Sequence, residues 1–148
     1  MKQVITNNAQ ETIELGIQIG KVIKQPMVIL LDGDLAAGKT TFTQGLAKGL
    51  GIEKIVNSPS YTIMKHYPGL KFDLYHLDLY RLDSLGVDFD LEEYLDDGVV
   101  VIEWPFQVKE LLPKKHLLIK INKIGDNQRQ FEFIPNGITD KEVLKCLD

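Results

Sequence analysis

The chain is 148 residues long, which suits one domain with a real core. Hydrophobic residues make up 44% and charged residues 26%, ordinary values for a globular protein, and a net charge of −4 with no long basic run confines nucleic-acid contact to a local patch or an indirect route. The single cysteine, Cys146, excludes an internal disulfide and a Cys-based zinc site and fits a reducing compartment.

Met1–Asn8 lacks the apolar core of a signal peptide, and no apolar run approaches the roughly 20 residues of a membrane span. The expectation is a cytoplasmic protein with no membrane contact. No internal repeat, low-complexity tract or linker divides the chain, so residues 1–148 read as a single domain.

Residues 9–24 carry two patterns. Ile13, Leu15, Ile17 and Ile19 alternate as in a strand, while Ile13/Ile17 and Ile19/Ile23 are spaced at four as in a helix. Gly16 and Gly20 do not settle the choice. Helix is the preferred reading, with Asn7 or Asn8 as its cap and Pro26 separating it from the first core strand. That strand is Met27–Leu31, a continuous apolar segment read as buried. After the loop at its end, Phe42, Leu46 and Leu50 recur on one helical face, and Gly49 or Gly51 ends that helix.

Between this strand and helix lies Gly33-Asp34-Leu35-Ala36-Ala37-Gly38-Lys39-Thr40, which fits G-x-x-x-x-G-K-[ST] at every fixed position. The strand–loop–helix order has a physical purpose. Successive backbone N–H groups form an anion nest, and the helix adds the positive end of its dipole. Lys39 then brings a mobile positive charge to β- and γ-phosphates, and the Thr40 hydroxyl is placed to ligate Mg²⁺. The pattern therefore predicts a nucleotide site.

Ser58 to Thr62 is either a plain loop or a hydroxyl-rich segment reaching the γ-phosphate. Phe72–Tyr80 reads as a strand. A turn at His66-Tyr67-Pro68-Gly69 makes Tyr61 to Leu79 a candidate hairpin, with Asp78 near its end. Asp83 to Asp97 is acidic and partly helical, and Gly98 closes it. Val99–Ile102 is β-branched and suits a central parallel strand. Glu103 comes immediately after. An acid at the carboxyl end of a buried strand beside a phosphate loop can hold Mg²⁺ or orient the attacking water. The tail reads as strands Leu117–Ile121 and Gln130–Ile134 around a turn at Gly125-Asp126-Asn127. Pro135-Asn136-Gly137 breaks this hairpin, and Thr139-Asp140-Lys141-Glu142 is a capping box for a short last helix.

Together with the phosphate loop, Ser58-Pro59-Ser60-Tyr61-Thr62, His76-Leu77-Asp78-Leu79-Tyr80-Arg81 and Glu103-Trp104-Pro105 resemble the TsaE family, in older naming YjeE, of small bacterial P-loop ATPases. The resemblance covers nearly the whole chain, in order and with similar spacing. It implies a part in making threonylcarbamoyladenosine next to the anticodon of certain tRNAs. In that role ATP hydrolysis supports a TsaB–TsaD heterodimer, the chain does not itself transfer the threonylcarbamoyl group, and tRNA is met only through the complex. It further implies that Gly33, Asp34, Leu35, Ala36, Ala37, Gly38, Lys39, Thr40 and Thr41 hold the phosphates and that Thr40 and Glu103 hold Mg²⁺. Asp78 lies near the γ-phosphate, Thr12 lies against the adenine, and Arg129 closes over the nucleotide. Arg129 equally suits a solvated hairpin. Ala36 stands where the family usually has glycine, and Ser60 where it commonly has threonine.

The expected architecture is α/β: a P-loop NTPase-like three-layer fold with a mostly parallel sheet flanked by helices and a late antiparallel hairpin. The expected cofactors are ATP and Mg²⁺, with Lys39, Asp78 and Glu103 as the catalytic set. A small-molecule kinase shares the loop, but the chain's arginines are few. A nucleotide-dependent binding module with negligible turnover is the non-enzyme alternative. A GTPase would need N-K-x-D, and Asn122-Lys123-Ile124-Gly125 lacks the aspartate.

Overall fold

The computed structural model describes residues 2–33, 38–56, 64–78, 97–103, 113–137 and 142–147. In chain order the elements are β1 (Lys2–Thr6), α1 (Ala9–Val22), β2 (Met27–Asp32), α2 (Lys39–Gly49), β3 (Met64–Tyr67), β4 (Asp73–Asp78), β5 (Gly98–Glu103), β6 (His116–Lys123), β7 (Arg129–Asn136) and α3 (Glu142–Lys145). The segment Ser58–Thr62, the helical part of the acidic stretch, the Trp104-Pro105 pair and most of the capping box lie outside the described residues.

The strands form one seven-stranded sheet in the order β1-β7-β6-β2-β5-β4-β3. Its four middle strands, β6-β2-β5-β4, are mutually parallel. The outer pairs β1–β7, β7–β6 and β4–β3 are antiparallel. The sheet is therefore mixed, and the expectation of a mostly parallel sheet holds only for its centre. The physical reason is local. Met27–Leu31 and Val99–Ile102 are continuous apolar runs that only a doubly covered position can bury, whereas β3–β4 and β6–β7 are joined by short turns that force antiparallel pairing. Val28, Leu30, Val100 and Ile102 are buried, as are Ile29, Leu31, Val99 and Val101, so both faces of β2 and β5 are covered.

The structure adds one strand and corrects two expected strand limits. Lys2–Thr6 carries no strong pattern, yet it forms edge strand β1 against β7, from Lys2↔Phe133 to Thr6↔Arg129. Pro135 does not break β7: it pairs with Leu117, beyond the last β1 partner, where a missing N–H costs no second ladder. In the β3–β4 pair the strand runs on through His66 and Tyr67, so the turn begins at Pro68.

Residues 9–22 are helical. Asn8 caps α1, its side chain accepting from the Glu11 backbone at 2.8 Å, and the Glu11 carboxylate accepts in turn from the Asn7 backbone at 2.9 Å. The two glycines that leave the sequence ambiguous have a packing role. Gly16 and Gly20 of α1 face Gly45 and Gly49 of α2, and a Cβ on any of the four would meet backbone of the other helix at 2.1–2.5 Å. The helices touch main chain to main chain, which no larger residue allows.

This helix pair lies on the face of the sheet that carries Ile29, Leu31, Val99, Val101, Leu117, Ile119, Phe131 and Phe133, and Val143 of α3 joins the same cluster. Phe42, Leu46 and Leu50 are fully buried against it, each contributing roughly 1.5–3 kcal/mol. The Phe42 and Phe131 rings meet at 5.6 Å between centroids, tying α2 to β7. Among the described residues the helices form one layer on the sheet, and the expected third layer falls on residues outside those described.

Candidate functional site

The connection from β2 into α2 is described at its two ends, Gly33 and Gly38. β2 ends at Asp32 and Gly33 comes next, half-buried; residues 34–37 lie outside the described residues. Gly38 caps α2 at φ 99°, a left-handed conformation that favours glycine, and its carbonyl accepts from the Phe42 backbone at 3.0 Å. Among the described residues no side chain caps α2 and no acid lies in its first turn, so nothing described there offsets the positive end of the helix. Lys39 is only 4% exposed, and its Nζ reaches back across the loop to donate to the Gly33 carbonyl at 2.8 Å. The Thr43 hydroxyl donates to the Lys39 carbonyl at 2.8 Å, fixing this turn from below. Thr40 and Thr41 are both half-buried in the same turn.

The neighbouring strand ends supply acids. β5 lies beside β2 with Glu103 level with Leu31, and β4 lies beside β5 with Asp78 level with Glu103. Parallel strands end at one edge of a sheet, so Asp78, Glu103 and the β2–α2 loop share the carboxyl edge where α/β sheets bind ligands. Asp78 is half-buried. Glu103 is 3% exposed, and one carboxylate oxygen accepts from Nε2 of His76, a residue with no exposure. A buried carboxylate needs compensation beyond one imidazole, which suits a nearby cation. The oxygen donors at hand, the Thr40 hydroxyl and the two carboxylates, are those a hard ion such as Mg²⁺ takes. Among the described residues no cluster of three or more His, Cys, Asp or Glu forms a metal cage.

At the start of α2 lies an open hollow lined by Ala9, Thr12, Gly38, Thr41, Asn127 and Arg129. Thr12 is buried, and its hydroxyl shares a 2.7 Å hydrogen bond with that of Thr6. Arg129 opens β7, and a Cβ on Gly38 would stand 3.8 Å from its Nε. Its guanidinium donates to the carbonyls of Gln128 at 3.0 Å and of Gly125 and Asp126 at 3.4 Å. The β6–β7 turn therefore holds the arginine over the start of α2. Gln128 donates to Asn7 at 3.0 Å, joining this turn to the start of α1.

The sequence-predicted residues that the structure describes fall mainly into three groups. Thr12, Gly38, Thr41 and Arg129 line the hollow, while Gly33 and Lys39 meet in the loop. Asp78 and Glu103 are register partners, and Asp34, Leu35, Ala36 and Ala37 lie outside the described residues. Arg129, which equally suited a solvated hairpin, is half-buried near Gly38. Sequence reasoning assigned no role to Asn127, Ala9, Thr6 or His76. A signal existed for His76, because the two-residue period of a strand puts it on the same face as Asp78. None existed for Asn127, whose turn reaches the hollow only because β7 pairs with β1.

Comparison with known proteins gives a consistent family. The family model "Threonylcarbamoyl adenosine biosynthesis protein TsaE" matches residues 6–131. The tRNA threonylcarbamoyladenosine biosynthesis protein TsaE of Bacillus subtilis is 43% identical over 133 residues, covering 89% of this chain and 84% of the relative. The protein of that name from Treponema pallidum is 40% identical over 129 residues, covering 85% and 95%. A crystal structure of Bacillus subtilis YdiB superposes with a TM-score of 0.84 at 37% identity, covering 97% of this chain and 91% of that one. A family match across most of the length, relatives above 30% identity and a shared α/β fold all agree: this chain belongs to the TsaE family.

Proposed function

We propose that the chain is a Mg²⁺-dependent ATPase of tRNA threonylcarbamoyladenosine formation next to the anticodon. In this reading it acts with a TsaB–TsaD-type heterodimer, does not perform the transfer, and is a single P-loop NTPase-like domain working in the cytoplasm. The observation that carries the nucleotide reading is Lys39, buried at the uncapped start of α2 and folded back onto the Gly33 carbonyl, one strand away from Glu103. The names of the relatives support the pathway.

Each residue has a task in this reading. Backbone amides from Gly33 to Thr41 bind the phosphates, and Lys39 exchanges the Gly33 carbonyl for β- and γ-phosphate oxygens. Thr12 lies against the adenine, and Arg129 covers the nucleotide from the β6–β7 turn. Thr40 and Glu103 would hold Mg²⁺, whose positive charge would offset the negative charge of the phosphates. Asp78 or Glu103 orients water for in-line attack, while Lys39 and the loop amides stabilise the charge that develops.

ATP turnover by the purified protein, alone and then with the TsaB–TsaD pair and tRNA, tests the proposal. Stimulation by the pair is expected. Turnover indifferent to the pair but raised by a small hydroxylated acceptor would replace it with a kinase.

A further inference from the structure

The nucleotide reading leaves the buried His76 unused. His76 sits in β4 with no exposure, level with Val101, two residues before Asp78. Leu74, Val99 and Val101 belong to the helix-side core, so strand alternation puts His76, Asp78 and Glu103 on that face too. His76 and Glu103 are diagonal neighbours across the β4–β5 ladder, and Nε2 meets the Glu103 carboxylate. Its other ring nitrogen, Nδ1, is buried without a hydrogen-bond partner among the described residues.

A carboxylate only accepts, so the ring proton in this bond belongs to Nε2. We propose that His76 is a positioning residue for the cation site: by holding Oε2 of Glu103 it fixes the carboxylate torsion and leaves Oε1 for Mg²⁺. A glutamate has three side-chain torsions, and one at a strand end with no anchor would share its oxygens among several directions. An outer hydrogen-bond partner of this kind aims a ligating group and sets metal affinity without touching the metal. This inference rests on the Mg²⁺–nucleotide reading of the site.

The test is Mg²⁺ titration of the protein loaded with a fluorescent ATP analogue, beside the affinity of the analogue in EDTA. Absence of any Mg²⁺ effect in the unaltered protein would overturn the site reading and this inference with it. Given such an effect, His76→Asn and His76→Leu, which remove the donor from the Nε2 position, should weaken the apparent Mg²⁺ affinity about 10–100-fold. Their affinity for the analogue in EDTA should stay close to that of the unaltered protein. His76→Gln, whose amide nitrogen reaches the same place, should recover most of the loss. In a Glu103→Gln background His76→Asn should add nothing, since both act through one carboxylate. Unchanged Mg²⁺ affinity in the donor-less variants, or an undiminished His76→Asn effect in Glu103→Gln, would overturn the proposal while leaving the site reading intact. Thermal unfolding precedes each titration, and two donor-less variants of different polarity keep the test decisive if one does not fold.

Discussion

Gly45→Ala tests the main-chain contact that brings α1 and α2 together. A Cβ at Gly45 would stand 2.1 Å from the Ile13 carbonyl oxygen and 2.9 Å from its carbon. Neither partner is a side chain that can rotate away. Ordinary contact starts near 3.4 Å, so α1 has to retreat by more than an ångström along a seam that also holds Gly16, Gly20 and Gly49. Forced overpacking costs about 1–3 kcal/mol, and an immovable backbone puts this site at the upper end. Alanine recovers about 1 kcal/mol of helix propensity relative to glycine. The expected net loss is about 2 kcal/mol, or a fall in Tm of roughly 4–8 °C for a chain of this size. The assay is urea unfolding beside Lys48→Ala, an exposed position on the same helix that should change by less than about 0.5 kcal/mol. A Gly45→Ala midpoint equal to or above that of the unaltered chain would refute the close contact, because propensity alone predicts a gain.

Two further outcomes are expected. Lys39→Ala should remove most nucleotide affinity, since the ammonium now held by Gly33 is the charge assigned to the β- and γ-phosphates; calorimetry showing unchanged ATP binding would sink that assignment. At the β3–β4 turn, bonds from His66 at 2.8 Å and from the Gly69 backbone at 3.2 Å hold the Asp73 carboxyl below its ordinary value of 3.8. A depressed folded-state value means that the carboxylate stabilises the fold fully above pH 3.8 and loses this contribution as pH falls through the lower, folded value. Asp73→Asn should therefore lower stability slightly at neutral pH and converge with the unaltered chain in acid. A difference that grows on acidification would contradict the sign.

Much of the candidate site was legible because its glycine and lysine positions are set by local sequence. Gly38 must reach φ 99° and Lys39 must come directly after it, so loop and helix start are fixed within a few residues. The buried strands were equally plain, since Met27–Leu31 and Val99–Ile102 have apolar side chains for both faces. Residues 9–22 were not, because alternation and four-residue spacing coexist there; the helix wins because Gly16 and Gly20 meet Gly45 and Gly49, which are distant in the chain.

By itself, then, the sequence determined the strand–loop–helix unit, the acids that end the next two central strands and the motifs that resemble TsaE. Short-range geometry and side-chain chemistry suffice for those. Only tertiary structure decided that Lys2–Thr6 is a strand, that Pro135 stays inside one, that Arg129 and Asn127 reach the start of α2, and that His76 is joined to Glu103. Each of these depends on which strands become neighbours, and pairing across the sheet is set by how the whole core is buried rather than by any local run of residues.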